Sequence, residues 1–355
     1  IDRIHLPFLS KKIGHRKSWI ILMQLFIFVS LLVWSLLDPT KNLWLIIAVG
    51  LGIAISSATQ DITIDALRIE QIGENEKNLL SAGAAISVVG WWTGYKIGGL
   101  VSLVSADILQ KQGIENYWQI SFVILSGIIT LCCIGLLFIP EKNSNEKINF
   151  QNIADQKLIN KIGVSNTFTK VFAWLYGTIV NPLLSFFKKN TFKVAFAILS
   201  FIFLFKIGEA FLGRMSLVFY KEIGFSKTDI ALYSKGIGWL TTITFTLLGG
   251  LFAVRVGLVK AMFVSGIFMA STNILFSLLA WVGSSEILFA FTVLIDDLAA
   301  AFATVAFVGF ISALVDRTYT ATQYALLASI GTAGRTLFAS SSGMMVDWLN
   351  GNWII

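Results

Sequence analysis

Apolar residues run along this chain in long blocks, and polar residues collect in the short gaps between them. At 1.5 Å per residue, each block is long enough to cross a hydrocarbon core about 30 Å thick. About nine membrane-spanning helices are predicted, over 18–37, 43–67, 79–106, 117–139, 191–219, 230–254, 258–282, 287–314 and 322–348. Connections are short except for 140–190, which separates two helical sets. The expected organisation is an N-terminal bundle over 1–140, a linker over 141–190 and a C-terminal bundle over 191–355.

Composition agrees with a membrane protein. The 355 residues are 56% hydrophobic and 13% charged, against about 25% charge in soluble domains. The net charge of +7 resides in loops between apolar runs, so it reads as membrane topology and not as a nucleic-acid surface. Cys132 and Cys133 are adjacent inside an apolar run, which provides neither a disulfide framework nor metal-ligand spacing. The two histidines, His5 and His15, both lie in the first loop. With no nucleophile–base pair or metal constellation, no enzyme, metal or cofactor is expected. The opening Ile1-Asp2-Arg3 and the basic loop after it do not have the form of a signal peptide.

Loop charge gives the orientation. Lys11, Lys12, Arg16 and Lys17, then Arg68 and Lys77, then the lysines of 141–190, and finally Arg255, Lys260 and Arg317 fall in alternate loops. The opposite loops hold only Lys41, Lys111, Lys221 and Lys227. The bias places the first loop and the linker in the cytoplasm. The linker is polar over 141–147 and apolar over 168–187, where Val171, Trp174, Leu175 and Ile179 follow helical spacing. An interfacial helix after a flexible linker is predicted; Asn181-Pro182 and Lys188-Lys189 argue against a tenth span.

The stretch Gln60-Asp61-Ile62-Thr63-Ile64-Asp65-Ala66-Leu67-Arg68 places two carboxylates on one helical face at the end of an apolar run. Carboxylates there cost about 2.5–3.5 kcal/mol each unless a partner or a polar cavity receives them. Faint internal symmetry accompanies the pair. Gly14-His15-Arg16-Lys17 and Arg255-Val256-Gly257-Leu258-Val259-Lys260 each lead into a helix, and Asp61 and Asp65 have counterparts in Asp296 and Asp297. Two similar bundles joined by a linker are the layout of a major facilitator transporter.

Several motifs make the likeness specific. Asp2-Arg3, Pro7-Phe8 and Gly14-His15-Arg16-Lys17-Ser18-Trp19 resemble the loop between the second and third helices of major facilitators. Ser57-Ala58-Thr59-Gln60-Asp61-Ile62 with Asp65-Ala66 resembles the fourth helix of the AmpG muropeptide permeases, and more loosely that of acetyl-CoA transporters. Similar matches are Ala82-Gly83-Ala84-Ala85-Ile86-Ser87-Val88-Val89-Gly90, Lys206-Ile207-Gly208-Glu209-Ala210-Phe211, Ser234-Lys235-Gly236-Ile237-Gly238, and Thr320-Ala321-Thr322-Gln323-Tyr324-Ala325-Leu326-Leu327 with Gly334-Arg335. The resemblance implies the all-α major facilitator fold and proton-driven import of anhydro-muropeptides across a bacterial inner membrane, without a cofactor. It also implies that the first two helices and the last are missing, which leaves both bundles incomplete with about nine of twelve helices. The family's Tyr-Arg in the fifth helix is replaced here by Trp91-Trp92, with Lys96 one turn later.

Depth sorts the polar positions. Asp65 and Arg68, with Asp2 and Arg16, are expected to latch a cytoplasmic gate, while Asp61 is open between a gate role and a ligand- or proton-coupled one. Lys96 lies too far in depth from Asp61 to pair with it. Lys206, Glu209, Lys235 and Arg335 fall in the outer half and Asp296 and Asp297 near the middle. Lys206 and Glu209 can neutralise each other; a polar cavity for an anionic ligand, with a carboxylate carrying the proton, accounts for more of these charges. Gln323 is expected on the same pathway. Trp91, Trp92, Tyr95 and Trp239 suit either sugar stacking or bilayer anchoring, and Gly94, Gly98 and Gly99 suit close helix packing. The expected partners are the lipid bilayer and a small sugar-peptide, with the chain monomeric and no nucleic acid. Two alternatives stand: the same fold carrying another anionic solute such as a nucleotide or acyl-CoA, and a truncated remnant that transports nothing.

Overall fold

The computed structural model describes residues 1–38, 41–73, 76, 79–141, 145–162, 167–226 and 238–349. Those residues are helical, with no strand among them. The helices are α1 (Leu9–Ile13), α2 (His15–Trp34), α3 (Leu43–Gln71), α4 (Leu79–Lys111), α5 (Tyr117–Leu137), α6 (Asn145–Ile162), α7 (Thr167–Lys189), α8 (Phe192–Leu204), α9 (Ile207–Ile223), α10 (Gly238–Val256), α11 (Leu258–Val282), α12 (Glu286–Leu314), α13 (Thr320–Ala339) and α14 (Ser342–Trp348). Helix is the form an apolar run takes in lipid, because every backbone N–H and C=O must be satisfied within the segment. Gly257 (φ 90°) and Gly283 (φ 89°) let the backbone reverse at either end of α11.

Six segments are long and apolar enough to cross a membrane: α2, α3, α5, the α8–α9 run Phe192–Ile223, α11 and α12. The apolar part of α10, Leu240–Val256, is shorter. One predicted span, in α4, is a full-length helix in which glycine, serine, threonine and a lysine interrupt the apolar sequence. Two other predicted spans are broken. The helix expected over 191–219 divides at Phe205 and Lys206, and the one over 322–348 divides after Ala339.

The described residues form two compact units that do not follow chain order: 1–71, 93–185 and 316–324 in the first, and 72–92, 186–315 and 325–355 in the second. In unit 1, α2 packs on α3 and α5, with Ile20, Leu67 and Leu136 buried together. In unit 2, α12 packs against both α10 and α11. Its apolar interior includes Phe219, Tyr220, Phe225, Phe276, Leu279 and Phe289. Many large apolar side chains remain exposed, Trp44, Phe138, Phe263 and Ile287 among them. Apolar surface of this kind is what a helical membrane protein offers to bilayer hydrocarbon.

Candidate functional site

Unit 1 gathers buried charge at the start of α2. The Arg16 Nη2 donates to Asp2 Oδ1 at 2.6 Å and to Glu70 Oε1 at 2.7 Å. The Arg16 and Asp2 side chains are 3% and 2% exposed, so solvent screens neither charge. Asp2 is also an N-terminal cap for a distant helix: it accepts from the Ala321 N–H, the Thr322 N–H and the Thr322 hydroxyl, at 3.1, 2.8 and 2.7 Å. The first turn of α13 has no intrahelical acceptors for those N–H groups, and its dipole favours an anion there. Burial raises the Asp2 pKa, but Arg16 and the Thr322 bonds outweigh it, and the carboxyl is held below its ordinary value.

A second pair does the same for α2 itself. The Arg16 and Lys17 N–H groups donate to Glu141 at 2.7 and 3.0 Å, and Lys17 Nζ donates to the Ile139 carbonyl at 2.8 Å, just beyond the end of α5. A carboxylate thus sits at one helix start and an ammonium at another helix end, each matching the local dipole. Nearby, Arg68 donates to Asp65 at 2.8 Å, and its guanidinium lies 6.0 Å from the Tyr324 ring centroid. Arg3 pairs with Asp155 of α6 at 2.8 Å and donates to the Trp174 carbonyl of α7 at 2.9 Å.

Unit 2 holds its charges inside the helices. Lys206, at the break between α8 and α9, is 2.8 Å from both Glu209 and the Thr304 hydroxyl. The Lys206 side chain is 11% exposed. Thr272 of α11 donates to Asp296 at 2.9 Å, and Thr241 of α10 donates to Asp297 at 3.5 Å. Glu209 lies within electrostatic reach of Asp296, and Tyr220 within reach of Asp296 and Asp297. Asp296 and Asp297 stand roughly 15 Å along α12, near the middle of a span. An apolar cavity of about 410 Å³ in the same unit, lined by Phe201, Phe205, Met262, Phe263, Met269 and Asn273, contains none of these charges.

The chain matches the Major Facilitator Superfamily profile over residues 5–353. It belongs to that superfamily. It is 31% identical over 352 residues to the Rickettsia felis protein named "Putative transporter AmpG 4", covering 98% of this chain and 78% of that protein. It is 29% identical over 348 residues to the anhydromuropeptide permease of Escherichia coli K12, covering 98% of this chain and 63% of that protein. Among solved structures, the proton:xylose symporter XylE matches with a TM-score of 0.59 at 16% identity over 98% of this chain and 78% of its own. The human organic anion transporter MFSD10 matches with a TM-score of 0.56 at 16% identity over 96% and 73%. The major facilitator fold and a transporter's role, not an enzyme's, are thereby shown.

Against that family, the predicted residues divide clearly. Asp2, Arg16, Asp65 and Arg68 all lie in unit 1, the first two in one network and the last two in an i,i+3 pair. Glu70, Glu141 and Thr322 complete these contacts and were not foreseen; an acidic residue facing a basic loop was the available signal for the two glutamates. Lys206, Glu209, Asp296 and Asp297 all lie in unit 2: Lys206 pairs with Glu209, which is within electrostatic reach of Asp296, and Thr272 and Thr241 hold Asp296 and Asp297. Arg335 is exposed on α13, and Lys96 is half-buried on α4. Asp61 is exposed, one turn before Asp65. Lys235 and the Trp239 side chain lie outside the described residues.

Two expectations change. Gln323 does not face a pathway: its amide is buried, accepting from the Asp316 N–H at 2.6 Å and donating to the Pro182 carbonyl at 2.8 Å. Both ends of the amide are engaged by backbone, as a buried amide requires. Gly94, Gly98 and Gly99 make no close packing among the described residues, where a Cβ on any of them would meet nothing within 4 Å. Of the aromatics, Trp91 and Trp92 meet edge to face at 4.9 Å, while Tyr95 is exposed.

Proposed function

We propose that this chain imports anhydro-muropeptides across the bacterial inner membrane, driven by the proton gradient. The observation that carries the reading is the charge cluster of Lys206, Glu209, Asp296 and Asp297 within one helical unit. Charged side chains on spanning helices cost about 2.5–3.5 kcal/mol each at the bilayer centre before their partners offset it, which marks such a group as functional. Likeness to the Escherichia coli anhydromuropeptide permease supplies the solute. Lys206 offers an ammonium to a peptide carboxylate, and Asp296 or Asp297 takes and releases the coupling proton. The unit 1 network of Asp2, Arg16, Glu70, Asp65 and Arg68 is the latch of a cytoplasmic gate, with α6 and α7 on the cytoplasmic side.

The test is uptake of labelled anhydro-muropeptide in cells lacking their own permease. Asp297→Asn abolishes uptake, as does Lys235→Ala, at equal membrane abundance. Wild-type uptake in both variants refutes the site, and uptake indifferent to a collapsed pH gradient refutes proton coupling. Trp91-Trp92 favours a second reading, another anionic solute on the same fold. A nucleotide or acyl-CoA that competes against muropeptide more strongly than unlabelled muropeptide itself selects that reading.

A further inference from the structure

α7 presents two unlike faces. Inward it buries Thr169, Ala173 and Gly177. Outward it turns Phe168, Val171, Phe172, Leu175 and Ile179, exposed by 78, 51, 46, 44 and 58%. Those five residues recur at helical spacing over three turns, so they form one continuous apolar stripe. The helix carries three lysines, Lys170, Lys188 and Lys189, and no acidic residue. Only Asn190 and Thr191 separate its end from α8, which opens a spanning segment. Chain connectivity therefore keeps α7 within a few residues of the membrane surface.

We infer that α7 docks on anionic phospholipid headgroups and, by doing so, braces the unit 1 latch. It rests on the chain's membrane placement and not on the solute proposed above. An apolar stripe with basic residues and no acids fits an interface between negatively charged headgroups and acyl chains. Each lysine near such a surface strengthens attachment about fivefold, and neutral headgroups lack that contribution. The inner face transmits the docking. A Cβ at Gly177 would overlap the Arg3 guanidinium, so helix and arginine are in direct contact. The Trp174 carbonyl and Asp155 hold the same guanidinium. Arg3 follows Asp2, whose carboxylate caps α13 and pairs with Arg16. Seating α7 in the interface thus fixes the carbonyl that positions Arg3 and, through one peptide bond, Asp2.

Hydrogen exchange of the whole chain in nanodiscs tests the inference without any transport measurement. Discs of phosphatidylcholine are compared with discs containing one-third phosphatidylglycerol. In the anionic discs, amides of 167–185 and of 316–324 exchange at least tenfold more slowly, and 0.5 M salt abolishes much of the difference. Lys170→Gln/Lys188→Gln/Lys189→Gln removes the lipid dependence and leaves exchange in α12 unchanged. Equal exchange in the two discs overturns the inference, as does protection produced by inorganic phosphate in neutral discs. Protection of 167–185 alone, with 316–324 unaffected, overturns the bracing. Because the wild-type comparison stands by itself, a variant that fails to fold does not rescue or sink the conclusion.

Discussion

Replacing Asp2 with Asn keeps its size and removes its charge. The carboxylate takes four hydrogen bonds, from Arg16, the Ala321 and Thr322 amides and the Thr322 hydroxyl. An amide offers one oxygen to these donors and points its own N–H₂ at others. Arg16 retains Glu70 at 2.7 Å, so its charge is not orphaned. Breaking a buried pair costs about 3–5 kcal/mol when the survivor has no other partner; with Glu70 in place, about 3 kcal/mol is expected. That corresponds to roughly 100-fold in the local opening equilibrium. Hydrogen exchange in a peptide covering 316–324 reads it directly and should accelerate by that order in Asp2→Asn. Lys41→Gln is the control, because its pair with Asp38 is 3.6 Å long and exposed, and pairs of that kind contribute little. Acceleration below threefold in Asp2→Asn would refute the assignment of Asp2 as the cap and counter-charge that hold this segment. The pH dependence follows from the same contacts. The folded carboxyl titrates below its ordinary value, so its stabilisation is complete above about pH 4 and is lost as pH falls through the folded pKa. Exchange of 316–324, corrected for intrinsic rate, is therefore flat between pH 5 and 8.

Two further outcomes concern unit 2. Lys206→Gln leaves Glu209 and Asp296 facing each other without the ammonium, so uptake should fall at least tenfold; Lys206→Gln/Glu209→Gln should recover membrane abundance, measured by quantitative blotting, without recovering uptake. Gly334→Ala drives a methyl into the Phe203 backbone carbonyl, which has no flexible end to move aside. Overpacking of this kind costs about 1–3 kcal/mol, so the detergent-solubilised protein should aggregate at a lower temperature, while Gly52→Ala, with open space around it, should not.

Much of the fold was legible because hydrophobic length is nearly the whole constraint on a spanning helix. The runs that became α2, α3, α5, α11 and α12 needed nothing else. The breaks at Phe205–Lys206 and after Ala339 were not foreseen: Lys206-Ile207-Gly208-Glu209 and Ser340-Ser341-Ser342-Gly343 interrupt the apolar sequence there, but with no proline in either and long apolar runs on both sides each reads as one span. The charged positions of unit 2 could be grouped by depth alone; of them Lys206 pairs with Glu209, which is within electrostatic reach of Asp296, whereas Arg335 is exposed on α13. Gln323 could not be placed that way. Only the family motif put it on the pathway, and its amide is spent on the Asp316 N–H and the Pro182 carbonyl.

Sequence by itself determined that the chain is a helical membrane transporter. Apolar runs, basic loops and ordered motifs are local properties, and each is readable where it stands. Tertiary structure alone decided what the charges do. Asp2 became the cap of α13, more than three hundred residues away, and Glu141 the cap of α2. Periodicity carries no record of such pairs, because the donors they satisfy exist only once distant helix ends have been brought side by side.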